Sequence, residues 1–314
     1  MINLNKILSF IATMFLTATL WAQPAIKVNH QKIISPNALY LISPCWSPDG
    51  LHIAAAGGNY GSIWLYTVAT GQWRKLIEEN GVGWEFDWSP DGKKIAFRSN
   101  MLAGRRKQTT IKIADIASGH AEQLIDYTRN ISSPKWVTQD MVAFLIENRM
   151  VSFSASLKKQ TSPATVPMGK NVCFISGDAL MMLKNGQGTK TETPLGGMTF
   201  NASFSPDGSR LLFEKTGGKI YWQRVSDDSL KFIANGEMPA WSPDGKWIAY
   251  ANPKDDGHQF ISSDIFACDA GGERHFQLTD TADELEMHPY WSPDGRAIAC
   301  DSEGKIILLN LETE

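Results

Sequence analysis

Histidines and carboxylates are the side chains of this 314-residue sequence that could do acid–base or metal chemistry. No two of the six histidines lie two or four residues apart, so a metal site would need ligands from separate segments of the chain. The sequence also lacks a nucleophile elbow, an H-E-x-x-H motif, a phosphate-binding loop and a complete G-x-G-x-x-G. These absences favour a binding protein over an enzyme, and they predict neither catalytic residues nor a cofactor.

Composition narrows the classes of partner. With 43% hydrophobic and 20% charged residues, the chain is typical of a globular protein with a large core. Its formal net charge is −3, from 33 acidic and 30 basic side chains. Because the chain has no overall positive field, we do not expect it to bind nucleic acid.

The N-terminal 22 residues have the pattern of an export signal. Lys6 is their only charged residue, and an uncharged run, residues 7–22, follows it and ends in Ala22. This run is shorter than the ~20 apolar residues of a membrane-spanning helix, and no cysteine follows it for lipid attachment. We therefore predict a signal peptide over residues 1–22, a single domain over residues 23–314, and a periplasmic or secreted protein without a membrane span.

Export would place the cysteines in an oxidising compartment. They form no C-x-x-C pair, and all of them stand in apolar, strand-like stretches. The spacing indicates neither a disulfide framework nor a zinc site, so we expect buried free thiols rather than bridges. The four cysteines are Cys45, Cys173, Cys268 and Cys300.

A five-residue motif that recurs along the chain is the strongest structural signal. The pentad WSPDG occupies residues 46–50, 88–92, 241–245 and 291–295, and FSPDG occupies residues 204–208. Serine, proline, aspartate and glycine match the four positions of a tight turn. Because an apolar alternating stretch follows each pentad, the motif predicts a hairpin corner between two β-strands, with its aromatic residue packed between neighbouring sheets.

Two weaker copies complete the repeat, WVTQDMVAF at residues 136–144 and FISGDALMM at residues 174–182. The motif aromatics then recur at the length of a four-stranded propeller blade or slightly less. The sequence therefore predicts an all-β fold, a single β-propeller of four-stranded blades, with seven blades favoured and six possible. The short step after Phe174 suggests that the fourth blade lacks a strand. A strand near Lys27 to Ile34 is expected to join the last blade and close the ring.

The pentad, the apolar strand after it and a segment such as DIFACDAGGERHFQLT resemble the TolB-like β-propeller family. The resemblance covers nearly the whole chain after the N-terminal segment. It implies the propeller fold but little about function, because this turn motif occurs in proteins of unrelated activity. We expect no room for the α/β domain that precedes the propeller in TolB, so the resemblance does not imply a role in the Tol system.

The two faces of such a propeller carry different loops. The pentad turns lie on one face, here called the pentad face, while the loops between second and third strands and the loops entering each blade lie on the opposite face. Because the loops of the opposite face differ from blade to blade, we expect the binding site there. The positions three residues before each motif aromatic should surround the channel mouth; they are Ser43, Glu85, Ser133, Asn171, Asn201, Met238 and His288.

Charge on the opposite face is uneven. A loop of blade 2 is basic and contains Arg105 and Arg106, whereas the loops of blades 6 and 7 are acidic. This pattern fits either a solvated loop surface or a dipolar surface that orients a partner. The predicted binding residues of the channel mouth and rim are Trp84, Glu85, Arg105, Arg106, Asn171, Asn201, His258, Glu286 and His288.

Two functional hypotheses remain at this point. The leading one is an exported, non-enzymatic, monomeric propeller that binds an envelope or extracellular protein, or a glycan, through the opposite face. The alternative is a metal-dependent polysaccharide lyase, because oligogalacturonate lyases share a seven-bladed propeller with this turn motif and MHPYWSPDG around His288 resembles their sequence loosely. A divalent metal is expected only under that alternative, with ligands from several blades.

Overall fold

The computed structural model describes residues 25–83, 85–161, 170–176, 179–184 and 187–313. Within these ranges the chain forms β-strands and no helix, so no described segment is a helix that could cross a membrane. The predicted signal peptide and Trp84 lie outside the described residues.

The strands form seven sheets, which are the blades of a propeller. Blade 1 consists of β2 (Leu41–Trp46), β3 (His52–Gly57), β4 (Ser62–Thr67) and β5 (Gln72–Glu78). Blade 2 consists of β6 (Asp87–Trp88), β7 (Lys94–Ala103), β8 (Arg106–Asp115) and β9 (Ala121–Gln123). Blade 3 consists of β10 (Lys135–Trp136), β11 (Met141–Ile146), β12 (Arg149–Ser154) and β13 (Lys159–Thr161).

The remaining blades complete the ring. Blade 4 consists of β14 (Val172–Ser176), β15 (Ala179–Lys184) and β16 (Gln187–Glu192). Blade 5 consists of β17 (Thr199–Phe204), β18 (Arg210–Lys215), β19 (Lys219–Arg224) and β20 (Leu230–Asn235). Blade 6 consists of β21 (Glu237–Trp241), β22 (Trp247–Asp255), β23 (Phe260–Asp269) and β24 (His275–Gln277). Blade 7 consists of β25 (Glu286–Trp291), β26 (Ala297–Ser302), β27 (Lys305–Thr313) and β1 (Ile26–Ile33). The predicted all-β propeller with seven blades is confirmed.

Blades 7 and 1 are neighbours in the ring, because β2 contacts β25 and β26. Blade 7 contains strands from both ends of the described chain. In it, β1 pairs antiparallel with β27, from Ile26 opposite Thr313 to Ile33 opposite Ile307. The first strand of each pentad blade lies against the central channel, and the fourth strand lies at the outer edge.

Serine and aspartate side chains stabilise the corner in each pentad. In blade 1 the Ser47 hydroxyl donates to Asp49 Oδ1 at 2.6 Å and accepts the backbone N–H of His52 at 2.9 Å. The N–H of Gly50 donates to the Ser47 carbonyl at 3.0 Å. The same three bonds recur in the other four pentads, where the serine is again buried. The predicted hairpin corner is therefore confirmed.

The motif tryptophans connect neighbouring blades. Trp88 is buried, and its indole N–H donates to the Cys45 carbonyl of blade 1 at 3.3 Å. In the same way, the indole N–H of Trp291 donates to the Ala240 carbonyl of blade 6 at 3.2 Å. The apolar core accordingly lies between adjacent sheets. The indole N–H groups of Trp88 and Trp291 are hydrogen-bonded there, whereas those of Trp46 and Trp241 are buried without a hydrogen-bond partner among the described residues.

The fourth blade differs from its prediction in one respect. Ser176, at the end of β14, donates a hydrogen bond to Asn148 in the hairpin between β11 and β12, on the opposite face. At the start of β14, a side chain placed on the pentad glycine Gly208 would collide with the Asn171 amide. β14 therefore runs opposite to the first strands of the pentad blades, and the alignment of FISGDALMM with a pentad hairpin is wrong. Apolar alternation is the same in both kinds of hairpin, so it does not reveal strand direction.

All four cysteines are free thiols, as the sequence predicts. Cys45 is half-buried and the other three are buried. Burial raises the pKa of Cys45, Cys173 and Cys268 to about 12. At neutral pH these thiols are therefore protonated and poor nucleophiles.

A glycine substitution tests the pentad turn. Gly245 has φ +69°, a left-handed conformation that disfavours a β-branched residue. We expect Gly245→Val to lower the free energy of unfolding by about 1–3 kcal/mol, measured by denaturant titration. Gly188 is the matched control, because it is an exposed strand glycine where an added Cβ would meet only Met150 Sδ at 3.6 Å. Equal losses in the two valine variants would contradict the turn role of Gly245.

Candidate functional site

Two long hairpins stand on the opposite face. The hairpin β7–β8 of blade 2 has strands of ten residues and pairs as far as Ala103 and Arg106. The hairpin β22–β23 of blade 6 has strands of nine and ten residues and pairs as far as Asp255 and Phe260. Because blades 2 and 6 are three positions apart in a ring of seven, the two hairpins flank the channel mouth from different sides.

The tips of these hairpins carry opposite charge. Arg105 and Arg106 are exposed at the tip of the blade 2 hairpin. Asp255, Asp256 and His258 are exposed at the tip of the blade 6 hairpin. Asp256 accepts the backbone N–H groups of His258 and of the following glutamine, and these bonds lower the pKa of Asp256, so it is ionised at neutral pH. The predicted rim residues Arg105, Arg106 and His258 thus lie on the expected face.

The channel mouth is formed by residues with unusual backbone conformation. Five of the seven predicted mouth positions have φ between +50° and +54°, and four of them coincide with a bulge in the innermost strand of their blade. A left-handed non-glycine residue is strained, so the surrounding structure must hold it in place. The five residues are Ser43, Glu85, Asn201, Met238 and His288.

Two carboxylates on second strands hold four of these mouth residues. Glu214 of blade 5 accepts the Asn201 side-chain amide at 2.8 Å and the backbone N–H of Met238, in blade 6, at 2.9 Å. Asp301 of blade 7 has the same two kinds of partner. It lies 2.7 Å from His288 Nδ1 and accepts the backbone N–H of Ser43, in blade 1, at 3.3 Å. Each carboxylate therefore fixes the bulge of its own blade and connects it to the next blade.

Arg98 occupies the equivalent position in blade 2. Its guanidinium donates to the Ile131 carbonyl, before the first strand of blade 3, at 3.4 Å. Burial lowers the pKa of Arg98, and the negative charge of Glu85 opposes this change. Arg98, Glu214 and Asp301 each lie ten residues after the motif aromatic of their blade. Their common spacing is the sequence signal that would have identified the residues that support the channel mouth.

Two predicted site residues lie elsewhere. Asn171 lies beside Gly208 on the pentad face rather than at the mouth, because β14 runs opposite to the direction that the sequence suggested. Glu286 is fully buried between blades 6 and 7, where Thr279 donates a hydrogen bond to its carboxyl group. Because its carboxyl group is buried against Thr279 of blade 6, Glu286 cannot contact a partner on the surface.

Titratable side chains line the channel at the sequence positions that immediately precede the motif aromatics. Asp87 of blade 2 accepts the backbone N–H of Trp136 at 2.7 Å. Burial lowers the pKa of Lys135, in blade 3, but the carboxylates of Asp87 and Glu85 raise it more, so the pKa of Lys135 lies above its usual value. Tyr290 of blade 7 lies beside Cys45 of blade 1, and both pKa values are raised. The Tyr290 hydroxyl and the Cys45 thiol are therefore protonated and uncharged at neutral pH.

Metal ligands are not brought together among the described residues. No three His, Cys, Asp or Glu side chains of the described chain are grouped so that they could hold a metal ion. His288, the residue that carried the lyase comparison, instead lies against Asp301.

Comparison of the sequence with known proteins finds relatives that match most of this chain. Proteins described as "Tol-Pal system protein TolB" from Francisella tularensis subsp. holarctica (strain OSU18) and subsp. tularensis (strain SCHU S4 / Schu 4) are 24% and 25% identical to the chain over 268 residues. These alignments cover 81% of the chain and 54% of each relative. The chain is a seven-bladed β-propeller that is similar in sequence to TolB. It spans about half the length of the TolB relatives that it matches.

Other matches to the TolB-like propeller are more distant. The "Dipeptidyl-peptidase 5" of Porphyromonas gingivalis is 23% identical over 296 residues, which cover 86% of the chain and 39% of the peptidase. TolB from Acinetobacter baumannii superposes with a TM-score of 0.56 at 16% identity, over 84% of this chain and 60% of that one. The Cps50 (Swd1) propeller domain of Myceliophteria thermophila superposes with a TM-score of 0.64 at 12% identity, over 91% and 99% of the two chains. These structures share the fold, and no family model matches the chain.

Removing one bulge-holding carboxylate should destabilise the TolB-like propeller. Glu214→Ala leaves the N–H of Met238 without its acceptor, so we expect the free energy of unfolding to fall by about 2–3 kcal/mol in denaturant titration. Glu273→Ala is the control, because Glu273 pairs with Lys231 at the surface and its loss should cost less than ~1 kcal/mol. A loss for Glu214→Ala no larger than the control's would show that the carboxylate does not support the mouth.

Glu286 should make stability depend on pH. Burial, followed by the carboxylates Asp264 and Glu284, raises its pKa to about 7, although the Thr279 hydrogen bond opposes this. Between pH 4.5 and 7 the folded state therefore keeps Glu286 protonated, whereas the unfolded state releases this proton. The contribution of Glu286 to the stability of the fold is fully present below pH 4.5 and is lost as pH rises through 7. We expect wild type to lose about 2–3 kcal/mol between pH 5 and 8 relative to Glu286→Gln, measured by denaturant titration. Parallel pH curves for the two proteins would contradict the raised pKa.

Proposed function

We propose that this protein is an exported, non-enzymatic envelope protein whose opposite face binds a partner protein. The observation that carries the proposal is the position of its exposed apolar side chains. On the opposite face they include residues of the two long hairpins, of the loop that enters blade 5 and of the start of β17; these are Met101, Leu102, Leu195, Met198, Phe200, Phe260 and Ile261. The described loops of the pentad face expose Leu51, Val68 and Leu157. Groups of exposed apolar side chains that are surrounded by polar residues are characteristic of interaction sites.

The loop that enters blade 5 is held in one conformation. The ammonium group of buried Lys215 donates to the Pro194 and Gly197 carbonyls, each at 3.1 Å, and to the Thr199 hydroxyl at 2.9 Å. Leu195 and Met198 nevertheless remain exposed on this loop. A loop that is ordered before binding loses less conformational entropy when a partner docks, which favours its use as a contact surface.

The charged tips of the two long hairpins would orient a partner on this surface. A partner with complementary charge would meet Arg105 and Arg106 on one side of the channel mouth and Asp255 and Asp256 on the other. Such a dipolar arrangement accelerates encounter and selects one docking orientation, while the apolar contacts supply residence time.

The relatives support an envelope location. Several of them are named for the Tol-Pal system, and the N-terminal 22 residues of this chain have the pattern of an export signal. A protein partner in the envelope agrees with both observations. A lyase activity gains no support from the described residues, where His288 is engaged by Asp301.

Two equally exposed leucines test the binding face. Leu102, on the opposite face, is 75% exposed, and Leu157, on the pentad face, is 73% exposed. We expect Leu102→Glu to reduce capture of the partner from envelope extract at least tenfold, because a charge would be buried in the interface. Leu157→Glu should leave capture unchanged. Quantitative mass spectrometry of proteins retained by wild type and by each variant measures both effects.

Once the partner is identified, the electrostatic contribution of the hairpin charges to its association can be measured. The double variant Arg105→Ala and Arg106→Ala should associate more slowly and with a weaker dependence on salt, with little change in stability, since exposed charges contribute little to folding. Equal loss of capture in Leu102→Glu and Leu157→Glu, or in neither, would contradict binding through the opposite face.

A further inference from the structure

A depression on the opposite face of blade 1 lies apart from the two long hairpins. It has a volume of about 440 Å³, within the range of ~300–1,000 Å³ for small-molecule sites. The loop before β2 and the hairpin between β3 and β4 form its walls. The lining residues that carry the argument are Tyr40, Gly57, Gly58, Asn59, Ser62 and Trp64.

Tyr40 is exposed yet fixed in position. Its carbonyl accepts the Gly58 N–H at 2.9 Å, and the next residue, Leu41, donates to the Gly304 carbonyl of blade 7 at 2.8 Å. Its ring lies so close to both glycines that a Cβ on Gly58 or Gly304 would come within 2.5 Å of it. With 62% of its surface still accessible, Tyr40 presents a rigid aromatic group to a ligand.

Trp64 supplies a second aromatic group to the same depression. Its indole N–H donates to the Ser62 hydroxyl at 3.1 Å, and the Lys75 ammonium lies 5.4 Å from the ring centroid. Lys75 is itself paired with Glu78 at 2.8 Å. These contacts fix the half-buried indole within blade 1 while it remains part of the lining.

Polar groups of the depression are neutral. The side-chain carbonyl of Asn59 accepts the Gly61 N–H at 2.9 Å, which orients the side chain and leaves its NH₂ group as the donor that it can offer. Gly57 and Gly58 expose backbone without side chains. Among the described residues that line the depression, none carries a formal charge.

We propose that this depression binds a neutral carbohydrate. Flat aromatic groups pack against the C–H face of a sugar ring, while amide, hydroxyl and backbone groups form hydrogen bonds with its hydroxyls. A charged ligand would find no counter-ion in the lining, and an apolar side chain would leave the Asn59 NH₂ group without an acceptor. This proposal does not depend on a protein partner at the two hairpins.

Titration of the purified protein with neutral oligosaccharides tests the site. The probes are maltotetraose, cellotetraose and tetra-N-acetylchitotetraose, with trigalacturonate as the charged comparison, followed by calorimetry and saturation-transfer NMR. We expect at least one neutral probe to bind with a dissociation constant of about 0.1–1 mM, the weak affinity of a shallow site, and trigalacturonate not to bind.

Variants assign the binding to these residues. Tyr40→Ala should weaken binding at least tenfold, Tyr40→Phe should preserve it, and Asn59→Ala should weaken it severalfold. Phe260→Ala is the matched control, because it removes another exposed aromatic residue from the same face and should leave sugar binding unchanged. If Tyr40→Ala lowers the melting temperature strongly, Asn59→Ala still tests the site.

Three outcomes would overturn the proposal. The first is that no neutral probe binds at millimolar concentration. The second is that a neutral probe binds equally well to wild type, Tyr40→Ala and Asn59→Ala. The third is that only trigalacturonate or an apolar peptide such as acetyl-Leu-Gly-amide binds.

Discussion

Each sheet in this ring can bury its two faces only against its two neighbours, and most other features of the structure follow from that constraint. The core is divided into clusters that lie between sheets. Trp88 and Trp291 each meet the constraint with one side chain, because the indole packs between two sheets and its N–H donates to a carbonyl of the preceding blade. The pentad completes the arrangement: a buried serine and its aspartate turn the chain immediately after the tryptophan, so the next strand returns in the same sheet.

The opposite face lacks the contacts of the pentad, because its loops vary and no repeated motif stabilises them. Hydrogen bonds to charged side chains stabilise that face instead. Glu214 and Asp301 each hold a bulge in their own blade and the first strand of the next blade. Four residues of the channel mouth are thereby held in position, although the sequence of this face differs from blade to blade. Hairpins and loops built on such a base can carry exposed apolar and charged groups without losing their positions.

The sequence predicted the repeated features well and the local exceptions poorly. Five pentads with the same turn chemistry predicted the corners and the four-stranded sheets, and the two weaker copies at residues 136–144 and 174–182 raised the predicted number of blades to seven. Blade 4 has no pentad, and apolar alternation does not distinguish a first strand from a second, so Asn171 was placed on the wrong face. Glu286 was taken for a rim residue because acidic residues are usually exposed, whereas packing between two blades buries it. Glu214 was overlooked because a single acidic residue within an apolar strand is not distinctive by itself; its position ten residues after the motif aromatic becomes a signal only when it is compared with Arg98 and Asp301.

The pairing of β1 with β27 has a consequence for how the protein folds. A hydrogen bond in this pair joins His30 and Asn310, which are 280 positions apart in the sequence. Bringing such distant segments together carries a large loop-closure entropy, and contacts of this kind form late and slowly. Every other blade is built from strands that follow one another directly, so those sheets can form by local zipping. Blade 7 is thus the step that converts a row of sheets into a cooperative unit, and until it forms, β27 presents an unpaired edge to other chains.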